Sequence, residues 1–257
     1  MNKQSPDAKP RVDSTLSKGL LILENLAASK ESKGVSQLSR ELELTKSNTF
    51  RLLQSLIARG YVRQMDDKNY AASLKMWQIG RKIIDQINLR EICADEMQYL
   101  SKETGETVYL AVQEGVQVVY VDKIESLKPI RSWNPIGGFA PIHCVGTGKA
   151  LLAANYEKMR DIVKGELNRY TDKTITNIKA LDNDVEATLR NGYAFDRGEF
   201  RDRIYSIGAA IMLPSGEPIA ALGISMPDMN LPTDGAASLG KIVAASAARV
   251  SKKMLTH

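Results

Sequence analysis

Between Leu44 and Gln64 the chain reads LTKSNTFRLLQSLIARGYVRQ. Its apolar residues Phe50, Leu53, Leu56 and Ile57 recur at the spacing of one helical face. Thr45 suits the N-cap and Gly60 the C-terminal stop. At about 100° per residue, Ser47, Asn48, Arg51, Gln54 and Ser55 fall on the opposite side. That side has one full charge and many hydrogen-bonding groups. Two shorter amphipathic segments come before it. LSKGLLILENLAAS sets Leu16, Leu20, Leu23 and Leu26 or Ala27 on one stripe and ends near Ser29. VSQLSRELEL packs through Leu38 and Leu42, with Ser36 as its cap. The turn before Thr45 is so short that the two helices form a helix-turn-helix. After Gly60 the pattern becomes extended, and YVRQMDDKNYAAS predicts a β-hairpin turning at MDDKN. Three helices and a hairpin in this order predict a winged helix-turn-helix over residues 14–73.

An apolar helix follows from Leu74 to Ile87, carrying Trp77, Ile79, Ile83 and Ile84. It forms a linker over residues 74–88 and is too apolar to stand free. From residue 89 to 257 the pattern predicts a second domain. A helix stopped by Gly105 leads to the strands ETVYLAVQEG and QVVYVDKIES, joined by a turn at Glu114 and Gly115. IRSWNPIGGFAPIHCVGTGKALLAA starts extended and becomes helical from Gly148. Further helical segments lie near Tyr156–Lys164 and Ile178–Asn191. A hairpin turning at Pro214, Ser215 and Gly216 closes the sheet, and a helix from Ala236 to Met254 ends the pattern. The expected order is α-β-β-α-α-β-β-β-α, an α+β class built on an antiparallel sheet with helices outside it.

Charge changes the picture of the first domain. Residues 1–85 hold 15 Lys and Arg against 9 Asp and Glu, a net of +6, whereas the remainder holds 20 against 21. A basic small domain beside a neutral larger one fits phosphate-backbone binding. On charge alone, a solvated basic surface explains it equally well. Residues 1–13 are polar and read as a disordered leader without the apolar core of a secretory signal. No apolar run is long enough to span a membrane. Two cysteines, Cys93 and Cys144, suit a reducing cytoplasm. With only two histidines beside them, no metal site or cofactor is expected.

The second helix of a helix-turn-helix lies in the major groove with its N-terminal residues near base edges. Arg51 suits bidentate pairing with guanine, and Asn48 or Gln54 with adenine. Thr45, Lys46, Ser47 and Thr49 sit at the helix start, where side chains and N–H groups meet phosphates. Ser36 joins them from the preceding helix. Arg63 and Lys68, at the hairpin, reach toward the backbone.

The chain also resembles the IclR-type bacterial transcriptional regulators. The resemblance rests on GLLILENLA, VSQLSRELELTKSNTFRLLQSLIARGYV and YAASLKMWQIG in the first domain. In the second it rests on APIHCVGTGKALLA, GYAFDRGEF and GAAIMLPSGEPIAALGISMP. It implies a GAF-like C-terminal domain that binds a small organic acid, and a dimer or dimer of dimers on double-stranded operator DNA. It also implies that the N–H groups of Gly146, Thr147 and Gly148 close over the effector carboxylate. Glycines before a helix permit the close approach that an anion needs. Asp196, Ile204, Ser206, Gly223 and Ser225 match the rest of the pocket, with Asp196 hydrogen-bonding a ligand carbonyl or hydroxyl. Ser132, Trp133 and Ala140 match its wall or lid.

Two departures from the family pattern bear on the ligand. Many members have cysteine at Ser206 and serine at Gly223, so Gly223 removes a polar handle and adds room. The family's APIFD-type segment is here AAIML. With Trp133 nearby, an aromatic acid fits. Trp133 and Phe139 serve equally as packing or interface residues. Two rival functions stand beside regulation: an enzyme acting on a small acid, and an interaction scaffold without DNA. The enzyme reading finds little support. His143 and Cys144 are neighbours whose side chains would diverge in a strand, and Asp196 and Glu199 have no evident nucleophile.

Overall fold

The computed structural model describes residues 13–85, 89–132, 134–233 and 235–254, with the side chains of residues 81–85 outside that description. The chain divides into two compact units, one up to residue 86 and one from residue 87. In the first unit, α1 (Ser14–Ala28) is capped by Asp13, which accepts hydrogen bonds from Thr15 N and Leu16 N. The rest of the predicted leader and the end of the linker, Ile87 included, lie outside the described residues. α2 (Val35–Glu41) and α3 (Lys46–Ala58) follow. β1 (Val62–Gln64) pairs antiparallel with β2 (Tyr70–Ala72), and an isolated bridge from Lys33 to Tyr70 extends the wing. α4 (Lys75–Asp85) ends the unit. The unit's core is Ile22, Leu23, Leu26, Leu38, Leu52, Leu53, Val62 and Tyr70. Full burial of each such aliphatic side chain contributes about 1.5–3 kcal/mol.

Four expectations change here. Leu16 and Leu20 are exposed, because the buried stripe of α1 runs through Gly19, Ile22, Leu23 and Leu26. Gly34, not Ser36, occupies the N-cap of α2; the helix starts at Val35, which places Ser36 inside its first turn. The buried face of α3 is rotated toward Thr49, Leu52 and Leu53. Phe50 is consequently 50% exposed, while Thr49 is buried and donates its hydroxyl to Thr45 O at 3.0 Å.

The second unit holds a six-stranded sheet among the described residues, ordered β5-β4-β3-β8-β7-β6. In chain order it is built from α5 (Leu89–Thr104), β3 (Thr107–Glu114), β4 (Gln117–Ile124), β5 (Phe139–Pro141), α6 (Gly146–Ala154), α7 (Tyr156–Val163), α8 (Ile178–Asn191), β6 (Ala194–Asp196), β7 (Ile204–Met212), β8 (Pro218–Pro227) and α9 (Ala237–Lys253). All neighbouring strands are antiparallel. The order differs from the expected one by an added edge strand, and the three helical segments expected before β6 are α6, α7 and α8, one more than that order counts. The short β5 lies in a stretch whose pattern shows only extended chain. α6 starts at Gly146, two residues before the expected start.

Alternation along the strands sorts the two faces. Val108, Leu110, Ile207, Ala209, Leu222 and Ile224 face α5 and α9 in one core. Tyr109, Ala111, Tyr120 and Ala221 face α6, α7 and α8 in the other. Ser206, Gly208, Gly223 and Ser225 alternate with apolar positions of the first core, so they belong to the second face. Polar and small residues there leave a gap beneath α6.

Candidate functional site

On the first unit, Thr45 caps α3, its hydroxyl accepting from Asn48 N at 3.3 Å. Thr45, Lys46, Ser47, Arg51 and Gln54 are exposed, and Asn48 is half-buried. Ser36, Arg63 and Lys68 are exposed as well. Lys68 sits at the wing tip with φ 62, a left-handed conformation that few non-glycine residues adopt. Asp67 supports that turn by accepting from Asn69 N at 2.9 Å. Only Thr49 among the expected DNA-facing residues is withdrawn into the core. It closes the first turn of α3 from inside.

The gap on the second unit is lined by Tyr109, Tyr120, Asn134, Val145, Thr147, Asp196, Phe200, Arg201, Ile204, Ser206, Gly223, Ile224 and Ser225. Strand register explains the grouping. Ser206 lies opposite Asp196 on one side and Ser225 on the other, and Gly223 lies between Tyr109 and Gly208. Above them comes the N-terminus of α6. Val145 supplies no side-chain cap. The sheet supplies one instead: Gly146 N donates to Ser206 Oγ at 2.9 Å, and Ser206 Oγ donates to Asp196 Oδ2 at 2.6 Å. Asp196 Oδ1 accepts from Gly198 N at 2.9 Å and Glu199 N at 2.7 Å. First-turn N–H groups of a helix have no intrahelical acceptor, so Thr147 and Gly148 present theirs at the same end.

Glycines let α6 come this close. A Cβ at Gly146 would stand 2.8 Å from the backbone of Ser206, Ile207 and Gly208, and one at Gly148 would stand 2.5 Å from Ile142 O. A Cβ at Gly208 would collide with the backbone of Gly146 and Thr147. Gly223 does not add room, contrary to expectation. The position of its missing Cβ is 2.6 Å from Thr147 Cγ2 and 2.7 Å from Ile207 O, so neighbouring atoms already fill it. The cavity itself measures about 20 Å³, space for little more than one water.

Behind the pocket lies a buried charge cluster. Lys149 is 1% exposed and reaches Glu199 Oε1 at 2.7 Å, Asp184 Oδ1 at 3.1 Å and Phe195 O at 3.1 Å. Glu199 Oε2 has no hydrogen-bond partner among the described residues. Burial pushes the Glu199 carboxyl up to about 7, against the pull of Lys149. Burial likewise pushes Asp196 up to about 6, opposed by its hydrogen bonds from Ser206 and the Glu199 N–H. His143 and Cys144 lie in a turn, not a strand, so the alternation argument does not apply to them. His143 Nε2 is 3.3 Å from Asn168 O, and burial raises the Cys144 thiol far above its usual range.

Asp196, Ile204, Ser206, Gly223, Ser225 and Thr147 therefore meet in one cavity. Gly146 and Gly148 flank it. Ser132 and Ala140 are buried nearby in sequence but are not among its lining residues, and Trp133 lies outside the described residues. Tyr109, Tyr120, Phe200 and Arg201 were not foreseen. The alternation of VYLAV and VVYV carries the two tyrosines to the inner face, a signal readable once the helix side of the sheet is known.

A winged helix with a polar recognition face, joined to a sheet domain with an anion-ready helix N-terminus over a polar pocket, defines a two-domain DNA-binding regulator with an effector-binding domain. The chain belongs to the IclR family of bacterial transcriptional regulators. The family's C-terminal domain (bacterial transcriptional regulator IclR C-terminal) matches residues 81–252, and the IclR helix-turn-helix domain matches residues 15–66. The chain is 28% identical over 254 residues to the HTH-type transcriptional regulator KdgR of Escherichia coli, covering 98% of this chain and 96% of that protein. It is 32% identical over 243 residues to the acetate operon repressor of Salmonella typhimurium, covering 92% and 88%. Among solved structures, the IclR protein of Thermotoga maritima superposes with a TM-score of 0.78 at 27% identity, covering 93% of this chain and 98% of that one. An IclR homolog from Microbacterium hydrocarbonoxydans, complexed with 4-hydroxybenzoate, gives 0.81 at 21% identity over 95% and 100%, a likeness of fold.

Proposed function

We propose that the chain is a ligand-responsive regulator that binds operator DNA as a dimer or dimer of dimers and releases or engages it when a small organic acid binds the second domain. The observation that supports it best is the α6 N-terminus, held by Ser206 and Asp196 over a pocket in the same domain. The carboxylate of the acid meets the N–H groups of Gly146, Thr147 and Gly148, where the helix dipole favours negative charge. Asp196 then accepts from a hydroxyl of the ligand. Arg201, at the exposed side of the pocket, adds positive charge. Ligand shifts the regulator only by its differential affinity for two conformations.

At about one water's volume the cavity must open for any acid, and a two- or three-carbon acid displaces fewer side chains than an aromatic one. The aromatic option now rests on the walls supplied by Tyr109 and Tyr120, whose rings lie 4.6 Å apart, and no longer on Gly223. Calorimetry with glyoxylate, pyruvate and benzoate separates the two: tighter binding of the two- and three-carbon acids ends the aromatic option. An enzyme finds no support in Cys144, whose thiol is held protonated by burial. Among the described residues no helix is long and apolar enough to cross a membrane, and a cytoplasmic location fits a DNA-binding protein.

The test is a fluorescence-anisotropy titration against the DNA flanking the protein's own gene, at two salt concentrations, with and without the acids. Saturable binding that weakens steeply with salt and shifts with an acid is expected. Binding indifferent to every acid would leave the DNA half standing and overturn the effector half.

A further inference from the structure

The side chain that departs furthest from the amphipathic pattern of α3 is Phe50. The sequence pattern puts it on the core face, yet it is 50% exposed and is absent from the apolar cluster of its unit. Helical spacing sets it one turn after Lys46 and Ser47 and one turn before Gln54, and next to Arg51. All four of those residues are exposed. An aromatic ring thus stands in the row of polar groups that α3 turns to solvent. Its backbone is fixed by the Thr45 cap and by the Thr49 hydroxyl bonded inward.

The major groove offers one apolar feature, the 5-methyl group of thymine, and apolar side chains including Phe read it by contact. Lys and Arg beside the ring hold the helix against phosphates and bases, while the ring itself can neither donate nor accept a conventional hydrogen bond. We propose that Phe50 is a specificity residue of the DNA interface that contacts the methyl group of a thymine in each half-site. This inference rests on the DNA-binding reading above. Transfer of one methyl group from water onto the ring contributes about 0.8 kcal/mol, about fourfold in affinity.

The experiment has two steps. Full-length protein first selects its preferred sequence from a randomised duplex library. Each thymine of that sequence is then replaced in turn by deoxyuridine, which differs only in lacking the methyl group. Binding of the wild type and of Phe50→Ala is measured on every duplex, and a thermal melt of each variant checks the fold. The wild type should lose about fourfold at one symmetry-related thymine position, and Phe50→Ala should bind the thymine and deoxyuridine duplexes equally there. Phe50→Leu, which keeps an apolar tip, should retain part of the difference, and it carries the comparison if Phe50→Ala does not fold. An equal loss in wild type and Phe50→Ala, or no loss at any thymine, overturns the inference and leaves DNA binding intact. Failure of the wild type to select any sequence overturns both.

Discussion

α3 and α6 are both helices whose N-termini are candidates to meet a ligand, and they are built in opposite ways. α3 carries its own cap, Thr45, three residues before the N–H that it satisfies. Its polar face looks into solvent. α6 has no cap of its own. Its first N–H is satisfied by Ser206, 60 residues on, and its residues from Gly146 to Ala153 are all buried. The first design suits a polyanion approached as a rigid surface. The second suits a small enclosed ligand, and there Gly146 N and the Asp196 carboxylate already have partners with which a ligand must compete. A helix start can therefore be held by local sequence or by the sheet below it, and only the second arrangement would tie a ligand at that end to the packing of a whole domain.

The largest expected effect tests that dependence on the sheet. Lys149→Met removes the buried cation of α6 and leaves Glu199 and Asp184 without it. Losing one partner of a buried ion pair costs about 3–5 kcal/mol. Denaturant unfolding of the full chain should show a loss of that order in the second domain, with a partial recovery in Lys149→Met/Glu199→Gln. A cost below about 1 kcal/mol would mean that α6 is held by its apolar face alone.

Gly208→Ala comes next. The new methyl group meets the backbone of Gly146 and Thr147, which cannot rotate away as a side chain can. Overpacking of this kind costs about 1–3 kcal/mol, and it should also lift the α6 N-terminus from Ser206. The combined signature is lower stability together with weaker acid binding. Unchanged acid affinity would separate the helix seat from the ligand site and break the comparison.

This contrast also explains what was legible in the sequence. Thr45, the helix-turn-helix and the hairpin were readable because cap, helix and turn lie within a few residues of one another. The rotation of α3 was not, because Thr49 enters the core by bonding its hydroxyl to Thr45 O, and a hydroxyl pattern does not announce that. In the second domain the alternating strands were readable. The positions of Ser206 and Asp196 in one pocket came from the family resemblance. Periodicity could not give them, since pairing partners are set by sheet order. The seat of Gly208 against Gly146 and Thr147 and the Lys149 cluster with Asp184 and Glu199 join residues far apart in sequence and left no local signal. Gly223 was misread for the same reason: whether an absent side chain leaves space depends on what lies across the layer, here Thr147.

A smaller effect separates the two helices by pH. Asp196 and Glu199, beneath and behind α6, are pushed up to about 6 and about 7 by burial. A carboxyl whose pKa is higher in the folded than in the unfolded state binds its proton more tightly when folded. Its stabilisation is full below the unfolded value near 4 and is lost as pH rises through the folded value. The carboxyls held low by partners, among them Glu41, Glu96 and Asp182, act in the opposite sense and only at lower pH. Buried His143, held below its usual range by burial, opposes them within this window, but two carboxyls outweigh one imidazole, so the second domain should melt higher at pH 5 than at pH 8. Asp196→Asn should flatten part of that slope. A melting temperature that rises from pH 5 to pH 8 would contradict the burial of these groups.

The smallest effect belongs to α3. Thr45→Ala removes a cap whose loss costs about 1 kcal/mol. Because the cap is local, the change should stay local. Amide exchange at Asn48 and its neighbours in the first turn should quicken by about fivefold, while the second domain keeps its protection and its acid affinity. The corresponding change at the seat of α6, Ser206→Ala, unties Gly146 from β7 and removes the side-chain donor to Asp196 Oδ2 together. It should therefore alter exchange in α6 and β6 at once. Equal confinement of the two perturbations would show that the borrowed cap is as local in its energetics as the native one, and the distinction between the helices would then be one of position alone.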